Sequence, residues 1–243
     1  MSQRPPAPEP PDLRESGRGP DGQPVYSDRR LFMQLLAFTG PTNPSELIKP
    51  LIDSGLDCVL YADAADPEGV AVLTVTEQPS DLLDALRPAL RSDAWAEMML
   101  RPEFTMMGRT YAIGYEADLD ETLLGRPLRT VMNPAWPWAV WYPLRRTGAF
   151  ARLELAEQRK ILGEHGTIGR AFGSADLAHD VRLAGHGLNA ADTDFVIGLI
   201  GKELQPLSAV VQTMRTTRQT GEFIADMGPF FVGRVIWQSA AAT

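Results

Sequence analysis

The three histidines of the chain, His165, His179 and His186, all lie in one window of 22 residues. Imidazole is a general base, a frequent metal ligand and the common axial ligand of haem iron. Because every imidazole of the 243 residues lies in this short segment, the segment is the first candidate for a catalytic or metal-binding site.

His165 falls in a predicted helix over 153–172. It shares one face of that helix with apolar residues at helical spacing, namely Leu155, Leu162, Ile168 and Phe172. The side chain is therefore predicted to point inward, and two interpretations remain open. His165 is either a core histidine bonded to a backbone carbonyl or a buried ligand to a metal or haem iron. Gly166 and Gly169 leave room beside the helix for a flat ring.

The strand predicted over 175–188 carries the other two histidines. Because side chains alternate along a strand, His179 and His186 are predicted on opposite faces, with Asp180 and Arg182 together on the face of His186. This separation counts against a mononuclear metal site built from His165, His179, His186 and Asp180. One interpretation of Asp180 and Arg182 is a solvated cross-strand ion pair.

Composition excludes several classes of protein. The formal net charge is −8 and the isoelectric point is about 5.0, which argues against a partner that is nucleic acid or an anionic membrane. Cys58 is the one cysteine, so an internal disulfide is excluded and a reducing compartment is favoured. No apolar run reaches the length of a membrane-spanning helix. We expect a cytoplasmic protein.

Apolar periodicity and turn residues predict the order β-α-β-β-α-β twice. The predicted strands cover 31–40, 58–64, 70–77, 103–118, 136–146, 175–188, 194–201 and 228–238, and the predicted helices cover 43–55, 79–99, 153–172 and 204–224. A shift of 125 residues superposes Gly108 on Gly233 and Leu82 on Leu207, which indicates an internal repeat.

The predicted fold class is α+β, with tandem ferredoxin-like repeats forming a dimeric-type α+β barrel whose helices lie outside. Residues 1–28 are rich in proline, glycine and charge and are predicted to be a disordered arm. The N-terminal ferredoxin-like half is assigned to 29–125 and the C-terminal half to 126–243.

Four segments, in order and spacing, resemble the C-terminal half of the chlorite dismutase family, which includes the coproheme decarboxylases. They are WYPLRR (141–146), EQRKILGEHGTIGR (157–170), GLNAADTDFVIGL (187–199) and QTMRTTRQTGEFIADMGPFFVG (212–233). The resemblance implies a doubled ferredoxin-like barrel whose C-terminal half binds haem b or coproheme. It also implies a closed homo-oligomeric ring, commonly a pentamer, with a porphyrin and hydrogen peroxide as small-molecule partners.

Residue by residue, the resemblance implies that His165 ligates the iron and that Tyr142 is the tyrosine that forms a radical in coproheme decarboxylases. Arg146 stands where those enzymes often have lysine. The resemblance further implies that Arg215 and Thr220 hold haem propionates. Arg129 falls close to the sequence position of another propionate-binding arginine of the family, and Arg126 is the alternative candidate for that position.

The chain departs from the family at the distal residue, which is arginine or glutamine in relatives. Alignment here gives Ala178 or Asp180. Chlorite dismutation is therefore disfavoured. An Asp180–Arg182 pair above haem is instead similar to dye-decolourising peroxidases, in which aspartate moves a peroxide proton and arginine stabilises the leaving oxygen.

The leading functional hypothesis is peroxide-driven oxidative decarboxylation of coproheme to haem b. The alternatives are a divergent haem peroxidase that uses Asp180 and Arg182, a non-catalytic haem carrier or sensor, and the mononuclear metal site. Trp136, Trp138 and Trp141 are interpreted either as an electron relay to Tyr142 or as core and subunit-interface residues.

Overall fold

The structure, a computed structural model, describes residues 9–239. The strands are β1 (Glu15–Arg18), β2 (Pro24–Ser27), β3 (Phe32–Thr39), β4 (Asp57–Asp63), β5 (Gly69–Thr76), β6 (Met99–Leu100), β7 (Met106–Arg109), β8 (Trp138–Arg146), β9 (His179–Ala184), β10 (Phe195–Gly201), β11 (Ile224–Met227) and β12 (Phe231–Gln238). The α-helices are α1 (Pro44–Asp53), α2 (Arg87–Ala89), α3 (Arg126–Val131), α4 (Gly148–Ala151), α5 (Leu155–Ser174), α6 (Leu204–Met214) and α7 (Arg218–Phe223). Wider π-helical turns at Leu82–Leu86 and Glu121–Gly125 lead into α2 and α3.

The predicted repeat and barrel are confirmed. The first half runs β3-α1-β4-β5-α2-β7 and the second runs β8-α5-β9-β10-α6-β12. Eight strands pair in the closed order β8-β10-β9-β7-β3-β5-β4-β12 and back to β8. Close packing requires glycine at both repeated positions, Gly108 and Gly233. A Cβ at Gly108 would lie 2.6 Å from Leu183 Cβ, and one at Gly233 would lie 2.8 Å from Tyr61 Cβ.

The alternation of strand side chains divides the apolar residues of the sheet into one inner and two outer clusters, and a fourth cluster joins Phe150, Ile161 and Phe223 of the helices. The barrel interior holds residues from both halves, including Tyr61, Trp141 and Phe231. Outside it, one cluster packs the helices of the first half, and another packs α5 and α6 against β8 and β10. The outer face of the second half therefore carries α5 and its histidine. No helix within residues 9–239 is long and apolar enough to cross a bilayer.

The prediction of a disordered arm over 1–28 is wrong for part of that segment. Strands β1 and β2 pair as an antiparallel ribbon. Glu15 fixes the ribbon, because its carboxylate accepts from Arg109 Nη1 at 2.7 Å and from the backbone N–H of Ala112 at 3.0 Å. Proline and glycine content did not reveal these long-range contacts. Residues 1–8 lie outside the described range.

Three predicted elements are shorter than expected. The strand predicted over 103–118 is regular only at β7, because the chain then turns through Gly114 (φ +91°) while Glu116 accepts from three backbone N–H groups. The helix predicted over 79–99 is present only at Leu82–Ala89, where a π-helical turn leads into the short helix α2 that contains Pro88. The helix predicted over 204–224 breaks into α6 and α7, where Thr217 caps α7.

Candidate functional site

A cavity of about 1320 Å³ separates the outer face of β8, β10 and β9 from helices α5, α6 and α7. The strand register decides which side chains reach it. Tyr142 pairs with Ile197, and Ile197 pairs with Arg182, so these three side chains form one row across the sheet. All three line the cavity, whereas the neighbouring Trp141 faces the barrel interior.

His165 lies on the α5 wall of this cavity and is half-buried. Its Nδ1 is 3.4 Å from Thr217 Oγ1, and that hydroxyl donates to the carbonyl of Met214 at 2.7 Å. Because its proton is used there, the Thr217 oxygen can only accept from Nδ1–H. This arrangement assigns the proton to Nδ1 and leaves the lone pair of Nε2 available to a ligand.

The electrostatic environment favours the neutral form of His165. Burial lowers the pKa of its imidazole below the ordinary value, and the positive charges of Arg182 and Arg146 lower it further. A neutral imidazole is the form that binds a metal ion.

Helix α5 presents a groove rather than a packed surface to the cavity. Four of its cavity-lining residues are glycines, namely Gly163, Gly166, Gly169 and Gly173. A Cβ at Gly163 would have no neighbour within 4 Å, and at Gly169 the nearest atom would be the Met214 methyl at 3.8 Å. Protein packing therefore does not require these glycines, although each weakens the helix by about 0.5–1 kcal/mol relative to alanine. The space they leave suits a flat group beside His165.

The cavity is strongly basic in a protein of net charge −8. Six arginines line it, namely Arg126, Arg129, Arg146, Arg159, Arg170 and Arg182, against a single acidic residue, Asp180, within the described range. Among residues 9–239, Arg146, Arg159 and Arg170 make no salt bridge to a carboxylate. Such uncompensated guanidinium groups suit a ligand with several carboxylates.

Asp180 and Arg182 both face the cavity, in agreement with the predicted alternation. Arg182 Nε lies 2.9 Å from Asp180 Oδ2, and Arg126 Nη1 approaches the other carboxylate oxygen at 3.8 Å. The Arg182 and Asp180 side chains are 48% and 36% exposed, as expected for a solvated ion pair, and both also line the cavity.

The other two histidines have separate partners. His179 Nε2 lies 2.9 Å from Asp176 Oδ1, and the ring stacks on Trp136 at 3.6 Å between centroids. His186 lies beyond the end of β9, with Nδ1 3.1 Å from Asp194 Oδ1. Within the described part of the chain, no three His, Cys, Asp or Glu side chains are close enough to hold a metal ion. The alternative of a mononuclear metal site is thus contradicted.

Tyr142 is buried in the wall opposite α5, with its ring stacked on Phe230 at 4.5 Å between centroids. Burial raises the pKa of its phenol, and the charge of Asp180 raises it further. The phenol therefore stays protonated throughout the physiological pH range.

The expected propionate-binding residues do not all share this cavity. Arg129, Arg146 and Thr220 line it, and Arg129 is also paired with Glu121 at 2.5 Å. Arg215 lies instead at a smaller pocket of about 430 Å³ between α6 and the sheet. The break between α6 and α7 separates it from Thr220.

Sequence reasoning missed several cavity residues. Tyr111 is on the segment predicted as strand, and Gln219 is on the segment predicted as continuous helix. Arg159 and Arg170 lie about 120–140° around α5 from His165, on the side that carries Gly163 and Gly166, so the face defined by His165 did not indicate them.

The chlorite dismutase family model matches residues 65–236 of the chain, which is more than half of its length. The chain belongs to the chlorite dismutase family. None of the curated proteins matches it at a significant level.

Solved structures from this family share the fold. A mutant of chlorite dismutase from Candidatus Nitrospira defluvii is 13% identical, with a TM-score of 0.67, covering 86% of this chain and 92% of that chain. A second mutant of the same protein, in complex with cyanide, is 14% identical, with a TM-score of 0.66 and the same coverage. A candidate chlorite dismutase is 15% identical, with a TM-score of 0.66, covering 85% of this chain and 95% of that chain. At these identities the likeness concerns the fold.

Chlorite dismutase family proteins bind haem iron, and the cavity fits that group. His165 offers the lone pair of Nε2, because the proton of its neutral imidazole is on Nδ1. The glycines of α5 leave a flat space on the same wall, and the arginines offer partners for propionates. His165, Gly166 and Gly169 would therefore contact the iron and the porphyrin face.

Proposed function

We propose that this member of the chlorite dismutase family converts coproheme to haem b by peroxide-dependent decarboxylation. The observation that carries the proposal is the basic cavity around His165. Coproheme has four propionates and haem b has two. Three cavity arginines without a carboxylate partner, in addition to Arg126, Arg129 and Arg182, match the more highly charged porphyrin.

The overall reaction at each propionate balances without a further reductant. One propionic acid side chain and one hydrogen peroxide give a vinyl group, carbon dioxide and two waters. The propionate loses two electrons and two protons, and peroxide accepts them. When porphyrin is bound, its iron supplies the means to reduce peroxide, and the protein orients the reacting groups.

Tyr142 is the side chain proposed to take a hydrogen atom from the propionate, as the phenoxyl radical that remains after its phenol gives up an electron and a proton toward the reduction of peroxide. Its phenol is buried and protonated, so losing an electron together with its proton avoids leaving a buried charge. Tyr142 lies near the middle of β8, and its side chain faces the cavity on the side opposite α5. The support for this role is that Tyr142 lines the cavity in which the porphyrin would lie.

A second candidate function rests on Asp180 and Arg182. Their contact at 2.9 Å provides a carboxylate and a guanidinium side by side on the wall opposite His165. Such a pair suits proton transfer from peroxide and stabilisation of the departing oxygen. A haem peroxidase that oxidises an external dye would need this pair and would not need Tyr142.

The test is to mix the purified protein with coproheme, add hydrogen peroxide stepwise and analyse the porphyrin by mass spectrometry. Loss of two carboxyl groups supports the proposed reaction. Coproheme that binds but retains all four propionates overturns it, and dye oxidation under the same conditions then favours the peroxidase. Binding without either activity favours a haem carrier or sensor.

A further inference from the structure

Exposed apolar side chains border the mouth of the large cavity. Two of them, Leu155 and Leu162, belong to α5, and the other two, Ile113 and Tyr115, belong to residues 110–118, which follow β7 and which we call the lip. Across the mouth, a guanidinium of α5 lies over the Tyr115 ring at 5.8 Å. Apolar side chains that line a cavity and are also exposed are typical of a ligand entrance.

The tip of the lip is held together from within. The carboxylate of Glu116 accepts from the backbone N–H groups of Ile113, Gly114 and Tyr115, each at 2.9 Å. The tip is therefore a compact turn that does not belong to the sheet. Its position relative to the cavity depends on the contacts at its two ends.

The ribbon formed by β1 and β2 makes a contact at each end of this turn. One carboxylate oxygen of Glu15 accepts from the backbone N–H of Ala112 at 3.0 Å. On the other side of the turn, the backbone N–H of Arg18 donates to the Glu116 carbonyl at 2.8 Å. Gly17 packs so closely there that a Cβ would lie 2.4 Å from the same carbonyl oxygen. The ribbon therefore fixes the lip on both sides of its tip.

Glu15 is the charged contact between the ribbon and the rest of the protein. Its side chain is 11% exposed, and its second oxygen accepts from Arg109 Nη1 at 2.7 Å and lies 3.7 Å from Arg30 Nη1. Hydrogen bonds to an ionised group are stronger than those between neutral groups. Loss of this carboxylate removes the anchor at Ala112 and leaves two guanidinium groups without their shared partner.

We propose that Glu15 is a positioning residue that, through the ribbon, holds the lip at the cavity mouth and limits the rate at which haem enters and leaves. A rigid porphyrin ring has to pass between the lip and α5, so the lip must move for the ring to pass. The contacts of Glu15 are with the protein and not with the ligand. The empty and the occupied protein are therefore affected alike, and both rates change while the affinity does not. The inference requires haem binding in the cavity and does not depend on decarboxylation.

The test measures both rates for Glu15→Ala. Stopped-flow absorbance gives the association rate of haem, and transfer to excess apomyoglobin gives the dissociation rate. We expect both rates to rise about tenfold, the factor that corresponds to one lost hydrogen bond to a charged group, with an unchanged ratio. Gly17→Ala should raise both rates without changing any charge, because the new methyl displaces the Glu116 carbonyl. Asp12→Ala is the matched control, since this carboxylate pairs with Arg14 at 2.8 Å on the exposed part of the same arm.

Hydrogen exchange tests the same contact without a ligand. In protein free of haem, Glu15→Ala should speed amide exchange in residues 110–118 and leave exchange in β9 unchanged. Wild-type rates of haem entry and exit in both ribbon variants would overturn the proposal. So would a lower affinity at an unchanged association rate, because Glu15 would then support the site itself. If wild type binds haem but leaves coproheme intact, the proposed function fails, and the two rates still decide the role of Glu15.

Discussion

Tyr142 and Arg182 lie on one row across the sheet, with Ile197 of β10 between them. Two strand spacings separate their backbones by about 9–10 Å. Both side chains face the cavity and therefore approach a ligand from the same wall. The tyrosine and the Asp180–Arg182 pair are thus neighbours that can be tested against each other.

Tyr142→Phe keeps the ring stacked on Phe230 and removes the hydroxyl. We expect it to abolish conversion of coproheme to haem b while leaving coproheme affinity unchanged, because the hydroxyl is needed to form the phenoxyl radical that accepts the hydrogen atom and is not a binding contact. Mass spectrometry of the porphyrin and a spectral titration measure the two quantities. Full conversion by the variant would exclude Tyr142 from the reaction.

Asp180→Asn removes the carboxylate that contacts Arg182 and Arg126 and is the converse experiment. In the decarboxylase, the substitution should leave the yield of haem b nearly unchanged. In the peroxidase, it should slow dye oxidation by about 10²–10⁴-fold, the usual contribution of general acid–base catalysis. Stopped-flow absorbance distinguishes the two, and equal loss of both activities would indicate a shared step.

His165→Ala should weaken haem binding and change the Soret band and spin state, because the axial nitrogen is lost. His186→Ala is the matched control, since His186 pairs with Asp194 away from the cavity. Absorbance titration with haem gives both the affinity and the spectrum. An unaltered spectrum in the His165 variant would show that α5 does not carry the axial ligand.

Gly169→Ala should raise the free energy of unfolding by about 0.5–1 kcal/mol, because the helix gains propensity and the new methyl meets no close atom. Gly169→Leu should leave the protein folded but block porphyrin binding, since the side chain enters the cavity. Ala171→Leu, on an exposed position of the same helix, controls for helix effects. Urea unfolding and haem titration provide the two readouts.

If Gly169→Leu binds porphyrin as well as Ala171→Leu does, the ligand does not approach this face of α5. If Gly169→Ala destabilises the protein, the glycine serves the fold rather than the ligand. Either result would remove the glycine groove as support for a flat ligand.

The buried Cys58 thiol makes stability depend on alkaline pH. Burial raises the pKa of the Cys58 thiol to about 11 from an ordinary value of 9.0. The folded pKa exceeds the unfolded one, so this contribution is intact below pH 9 and is lost as pH rises toward 11, at about 1.4 kcal/mol per pH unit. Urea unfolding at several pH values should show a shallower decline for Cys58→Ala than for wild type. Parallel declines would mean that the thiol ionises freely in the folded protein.

The sequence determined the repeat, the barrel and the orientation of the histidine helix. These features follow from local periodicities of two and 3.6 residues, which are properties of consecutive side chains. The periodicity placed His165 on the inner face of α5, and the alternation placed Asp180 and Arg182 on one face of β9. Both placements agree with the cavity lining.

Only the tertiary structure decided which other side chains join His165. Tyr111 reaches the cavity because the chain leaves the sheet after β7 and turns, and Glu116 stabilises that turn by accepting from backbone N–H groups. The alternating sequence of this segment predicts a continuous strand and gives no sign of the turn. The break after α6 sends Arg215 to the smaller pocket while Gln219 enters the cavity. Such positions depend on strand closure, helix capping and contacts between residues far apart in the chain. A pattern read along the sequence contains no information about those distances.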